Sequence, residues 1–276
     1  MKGCSNSYLT RTTNTPAVPV RTNHNWAKQT KEEGEGLYRV TEDAGWPTYV
    51  AKMSYGVAPV AEDGSANFLA PAGKQLYFQL LDEDFNEIQR MRSVVQLQPG
   101  ELRGCIGCHE NHQTASAAEG RRQAMKRPPD RLQPPPWGAV PFSYEKVVQP
   151  VWDHQCIACH DGTKKEARLD LRGNLDKERI PASYRSLIEG AWVHYFDFTW
   201  GMRPFKAEPL SFGTLQSRLW KVLGDQNHAK IALARDEMQA VKAWVDLNCP
   251  LWPDYTFRLE RPGPDKVLTS RMPGQQ

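Results

Sequence analysis

From Gly36 to about Leu97 the apolar residues fall in short runs with a two-residue period, the mark of β-strands. Tyr49-Val50-Ala51, Gly56 to Val60 and Gln75 to Leu81 are such runs, divided by turn chemistry at Asp63-Gly64, Pro71-Ala72-Gly73 and Asp82-Glu83-Asp84. In the last run Leu76, Phe78 and Leu80 share one face, and Tyr77 and Leu81 the other. Strands this closely spaced predict a small antiparallel β-sandwich-like domain, closed by Pro99-Gly100. From Phe142 the period becomes helical. Val147, Val148, Val151 and Trp152 form one apolar stripe, which Pro150 should kink or restart. Leu215, Leu219, Val222 and Leu223 form a second, ending at Gly224. Met238, Val241, Trp244 and Val245 form a third, with Asp236 and Glu237 in its first turn and Asn248 and Pro250 beyond its end. The expected class is α+β.

Composition changes the picture in two ways. Lys and Arg (35) nearly balance Asp and Glu (32), giving +3 in 276 residues, so nucleic acid is a poor candidate partner. No run approaches the roughly 20 apolar residues of a membrane-spanning helix. The expected layout is an irregular polar segment over 1–35 and a β domain over 36–112. A proline-rich basic linker over 113–141 follows, solvated or steering an acidic partner. A mainly α, cytochrome c-like domain over 142–256 and a tail over 257–276 complete it.

The chemistry lies in the cysteines. Four of the six stand in two copies of one pattern, Cys105-Ile106-Gly107-Cys108-His109 and Cys156-Ile157-Ala158-Cys159-His160. C-x-x-C-H is the attachment sequence for c-type haem. Two thiols one helical turn apart reach the two vinyl groups of one porphyrin edge, and the following histidine lies beneath the iron. A four-cysteine zinc site is the main competitor, but its pairs usually stand ~15–20 residues apart, whereas residues 109–155 separate these. Two covalently attached haems c are therefore expected, on Cys105, Cys108, Cys156 and Cys159, with His109 and His160 as iron ligands. Haem attachment of this kind takes place outside the bacterial cytoplasm, so an exported, periplasmic protein is expected. Met1 to Val20 contains no apolar signal core, which points to a fragment of a longer chain.

The sixth ligand decides the chemistry of each haem, since a closed iron suits electron transfer and an open one binds small molecules. His228, Met202 and His194 compete for the second haem. His228 is favoured, in the loop between the last two helices. His194, in Trp192-Val193-His194-Tyr195-Phe196, reads better as a packed core residue, and His154 as a propionate or surface contact. Around the first haem, His112 stands very close to His109 and His24 is remote. Cys249 reads as a small buried hydrophobe, and Cys4 has no assigned role.

The string Pro59-Val60-Ala61-Glu62-Asp63-Gly64-Ser65-Ala66-Asn67-Phe68, Pro71 to Asp82, Met91-Arg92-Ser93 and Pro99-Gly100-Glu101 with the first C-x-x-C-H resemble the middle domain of the hydrazine synthase alpha subunit family. Val148-Gln149-Pro150-Val151 and Trp244-Val245-Asp246-Leu247-Asn248 resemble its C-terminal cytochrome domain, so the likeness runs over about residues 36–256. It implies a multidomain periplasmic protein, here without its N-terminal β-propeller. It implies a bis-histidine C-terminal haem, which supports His160 with His228. It also implies a catalytic middle haem that makes hydrazine from ammonium and a hydroxylamine-like intermediate. In the family the middle motif histidine binds zinc, and a tyrosine four residues on ligates iron. Here that position is Gln113, so zinc at the first site rests on resemblance alone and the phenolate ligand is missing. Two functions follow. One is a dihaem module passing single electrons to a redox partner protein or an upstream domain. The other is a haem enzyme fragment with an open first iron acting on a small nitrogen compound.

Overall fold

The computed structural model describes residues 17–23 (backbone only), 52–91, 94–105, 122–163, 169–177, 179–195, 208–225, 228 and 231–253. One antiparallel sheet is built from β1 (Ala17–Asn23), β2 (Lys52–Pro59), β3 (Gln75–Leu81), β4 (Glu87–Arg90) and β5 (Val95–Gln96), in the order β2-β1-β3-β4 with β5 also on β3. Among the described residues six α-helices follow: α1 (Tyr144–Val147), α2 (Gln149–Gln155), α3 (Ala182–Glu189), α4 (Gly213–Gln216), α5 (Arg218–Leu223) and α6 (Arg235–Asp246). The class is α+β, as the periodicity predicted.

Three expectations need correction. Residues 17–23, inside the segment read as irregular, form β1, which lies between β2 and β3. Pro19 disguised it, because proline is normally confined to edge strands. The sheet accommodates Pro19 locally. The β1–β3 pairing runs from Ala17↔Leu81 to Val20↔Phe78 and skips Val18 and Pro19, where the ring has no N–H to give.

The described part of the proline-rich stretch, residues 122–141, is largely exposed but is not a free linker. Asp130 bridges to Phe68, Gln133 to Val57 and Pro141 to Met53. Val57 and Gln133 exchange both backbone hydrogen bonds at 2.9 Å, so this strap pairs with β2 as an added edge strand. Gly56 permits that approach. It sits at φ +133°, and a Cβ there would stand 2.4 Å from the Gln133 carbonyl oxygen. Upstream, Asp63 accepts from Gln123 N at 2.9 Å and Ser65 Oγ from Ala124 N at 3.0 Å.

The third correction is the sandwich. Among the described residues the strands form one sheet, and its partner layer is helical. The β3–β4 surface is polar at its centre, with Gln79, Glu87 and Arg90 all buried. A second sheet would have to cover them with apolar side chains. The C-terminal end of α6 supplies acceptors instead. The Asp246 carbonyl accepts from Gln79 Nε2 at 2.8 Å and Arg90 Nη2 at 3.2 Å. Its carboxylate accepts from Glu87 N at 3.3 Å and, within the helical part, from Thr214 N at 2.8 Å. Glu87 pairs with Arg90 and accepts from Gln79. Burial disfavours the Arg90 charge, but Glu87 outweighs it and holds the guanidinium above its ordinary pKa. Lys242, also from α6, donates to the Asp84 carbonyl at 2.5 Å, and burial pushes its ammonium down.

The helical core is aromatic. The Tyr144 ring lies 5.0 Å from both Tyr184 and Trp244. Its hydroxyl accepts from Trp152 Nε1 and donates to Ser183 Oγ, each at 2.9 Å. All four rings are fully or almost fully buried; such rings contribute roughly 2–3 kcal/mol each through burial. Pro150 restarts the helix as expected: α1 ends at Val147 and α2 begins at Gln149, where the missing N–H is not needed.

Candidate functional site

The second C-x-x-C-H follows directly on α2. Trp152 is locked in the core, and its carbonyl accepts from both Cys156 N (2.8 Å) and Ile157 N (3.0 Å), closing the helix. The next turn continues through Cys159 N (3.1 Å) and His160 N (2.9 Å), both onto the Cys156 carbonyl. The two thiols therefore leave one tight turn, with Cys156 buried and Cys159 exposed. Burial, followed by the neighbouring Glu237 and Cys159, pushes the Cys156 thiol up to about 11.

His228 comes from the loop after α5, reached through the Gly224 helix end. Asp225 N donates to Val222 O at 3.1 Å and His228 N to Asp225 O at 2.9 Å. This brings the His228 ring opposite His160, with centroids 6.0 Å apart and planes inclined at 50°. A metal–imidazole bond of about 2 Å, plus roughly 1 Å from nitrogen to ring centre on each side, spans about 6 Å across one metal ion. The separation and the adjacent thiol pair thus fit a haem held by Cys156, Cys159, His160 and His228. A metal-only site fits less well, since among the described residues no three His, Cys, Asp or Glu side chains converge on one point.

The rival ligands fare differently. His194 is exposed rather than packed in the core; its backbone N–H donates to Ser217 Oγ at 2.9 Å. Partial desolvation and the nearby Arg90 hold its imidazole below its ordinary pKa. The residue buried there is its neighbour Val193. His154 is a surface contact, 3.3 Å from Glu237. Cys249 is buried, as expected, and burial pushes its thiol far up. Of the first motif only Cys105 is described, and it is exposed. Cys108, His109, Met202, His24, His112, Gln113 and Cys4 lie outside the described residues.

Sequence reasoning missed the elements that hold His160. Its carbonyl accepts from Leu171 N at 2.9 Å, and Asp161 bridges to Asp170. Asp170 pairs with Arg172 through two bonds, Nε to Oδ1 at 2.9 Å and Nη2 to Oδ2 at 2.7 Å, which hold its carboxyl below the usual range. The signal available was the Asp161-Gly162-Thr163 turn immediately after the motif.

Comparisons with known proteins agree with this fold. The family model described as hydrazine synthase alpha subunit middle domain matches residues 14–110. A solved hydrazine synthase from Kuenenia stuttgartiensis superposes with a TM-score of 0.56 at 16% identity, over 87% of this chain and 39% of that one. At that identity the likeness is one of fold, and this chain spans well under half of its counterpart. No curated protein sequence matches. The family match takes in β1, which the earlier boundary at residue 36 left out; residues 14–110 are thus similar to the hydrazine synthase alpha subunit middle domain, and the helices that follow share the fold of the solved hydrazine synthase.

Proposed function

We propose that this protein is a c-type cytochrome module for single-electron transfer, with two covalently bound haems, resembling the C-terminal part of the hydrazine synthase alpha subunit. The observation that supports it most is the facing pair His160 and His228 at 6.0 Å beside Cys156 and Cys159. Cys156 and Cys159 would hold the porphyrin edge through thioethers, and the two imidazoles would hold the iron from both sides. A haem so bound supplies reversible one-electron iron chemistry. The chain's own part is to keep both imidazoles in place, so that no outside molecule reaches the metal. Cys105 and Cys108 would anchor the other haem, with His109 as an iron ligand, and zinc at His109 is the family's alternative. This helical part is then a cytochrome c-like domain in an exported protein, exchanging electrons with a redox partner or an upstream domain.

Optical spectra of the haem-loaded protein with CO test this reading. The second haem is expected to be low-spin and inert to CO, and His228→Ala should make it high-spin and CO-binding. An unchanged low-spin spectrum in that variant would point to Met202 or His194. A CO-binding haem lost with Cys105→Ser and Cys108→Ser would instead support an enzyme with an open first iron acting on a small nitrogen compound.

A further inference from the structure

We propose that Gly162 and the Asp170–Arg172 ion pair are positioning residues for His160, holding its imidazole toward His228. The inference rests on the reading of His160 as an axial ligand. His160 is fixed by its backbone on both sides: its N–H donates to Cys156 O at 2.9 Å and its carbonyl accepts from Leu171 N at 2.9 Å. The first bond ties it to the thiol-bearing turn and the second to residues 169–172. That second segment is itself anchored, because the Leu171 carbonyl accepts from Gln149 Nε2 of α2 at 3.0 Å and the Leu169 and Leu171 side chains enter the core. Both supports of His160 therefore lead back to α2.

Gly162 makes the return turn possible. It lies at φ +74°, where L-residues are strained, and a Cβ there would stand 2.7 Å from Asp170 Oδ2 and 2.9 Å from Arg172 Nη2. The ion pair occupies the space a side chain would need, and its Asp170 is the residue bridged to Asp161 beside His160. A side chain at 162 must displace the ends of Asp170 and Arg172 or open the strained turn, and opening the turn releases the His160 carbonyl from Leu171.

The test compares haem-loaded wild type with Gly162→Ala, Arg172→Ala and Arg172→Lys by spin state, CO binding and midpoint potential. Gly162→Ala should raise the CO-accessible form roughly tenfold, the factor expected from the strain of an L-residue in the left-handed region. Arg172→Ala should move all three readouts in the same direction by less. Arg172→Lys, which keeps the charge but not the two-pronged geometry, should recover part of the loss. Arg172 is on the surface, so its variants carry the test even where Gly162→Ala matures poorly. If both alanine variants keep the wild-type spectrum, potential and CO inertness while wild type is low-spin, the positioning role is refuted. If His160→Ala leaves the second haem low-spin, the axial reading fails as well, and that outcome is distinguishable from the first.

Discussion

Replacing Asp246 with alanine tests whether the sheet and the helices form one cooperative unit. The side chain is fully buried at the C-terminal end of α6. Its loss leaves Glu87 N and Thr214 N without their carboxylate acceptor and removes one negative charge facing the buried Arg90 and Lys242. Each orphaned buried donor costs about 1–3 kcal/mol, and breaking a buried ionic cluster by removing one member costs about 3–5 kcal/mol in all. The two figures describe the same loss and are not added. For a chain this long, a destabilisation of about 4 kcal/mol lowers Tm by roughly 10 °C. Asp246→Asn keeps the shape and one acceptor oxygen, so it should fall between wild type and alanine. Thermal and urea unfolding followed by tryptophan fluorescence and far-ultraviolet dichroism measure this. Wild type should unfold with both probes coincident, and Asp246→Ala should separate them. A Tm within about 2 °C of wild type, or a loss under roughly 1 kcal/mol, would refute the reasoning.

Gly56→Ala should cost about 2–4 kcal/mol, because its Cβ meets the Gln133 backbone and the reciprocal Val57–Gln133 pair must open. Gly73→Ala, at φ +68° with open space around it, should cost only about 1 kcal/mol; equal losses in urea melts would contradict the strap's role. Glu237→Ala should cost roughly 1 kcal/mol, since Glu237 accepts from Ala234 N at 2.8 Å at the start of α6 and from Gln155 of α2 at 3.2 Å. Those hydrogen bonds outweigh burial and lower the Glu237 pKa in the folded state. Its contribution is therefore present above the ordinary glutamate pKa and lost as pH falls through the depressed one, so wild type and variant should converge in acid melts. In haem-free protein at pH 8, iodoacetamide should label exposed Cys159 before buried Cys156, whose rate should climb as pH approaches 11; labelling at equal rates would argue against the inward thiol. Cys249 should react only after unfolding.

Much of the helical half was legible because its code is local. The stripe Val241, Trp244 and Val245 is buried as its period requires, α5 stops at Gly224, and Pro150 marks a real break. The Gln75–Leu81 run is a strand, although both its faces are partly covered and Gln79 faces the helices. The β1 strand was hidden because its pairing partners lie some thirty or more residues away, and strand preference depends on those neighbours. The strap was misread for the same reason: prolines suggest an extended chain but not what it lies against.

By itself, the sequence determined the thiol spacing, the imidazole that follows each pair, the alternation of apolar residues and the helix ends. Each of these depends on residues within a few positions of one another. Only the tertiary structure decided that His228 faces His160, that Gly162 must leave room for Asp170 and Arg172, and that Asp246 joins α6 to the sheet. These pairings unite distant segments. Such contacts form only where burying the surrounding apolar surface offsets the entropy of closing long loops, and no local pattern records that balance.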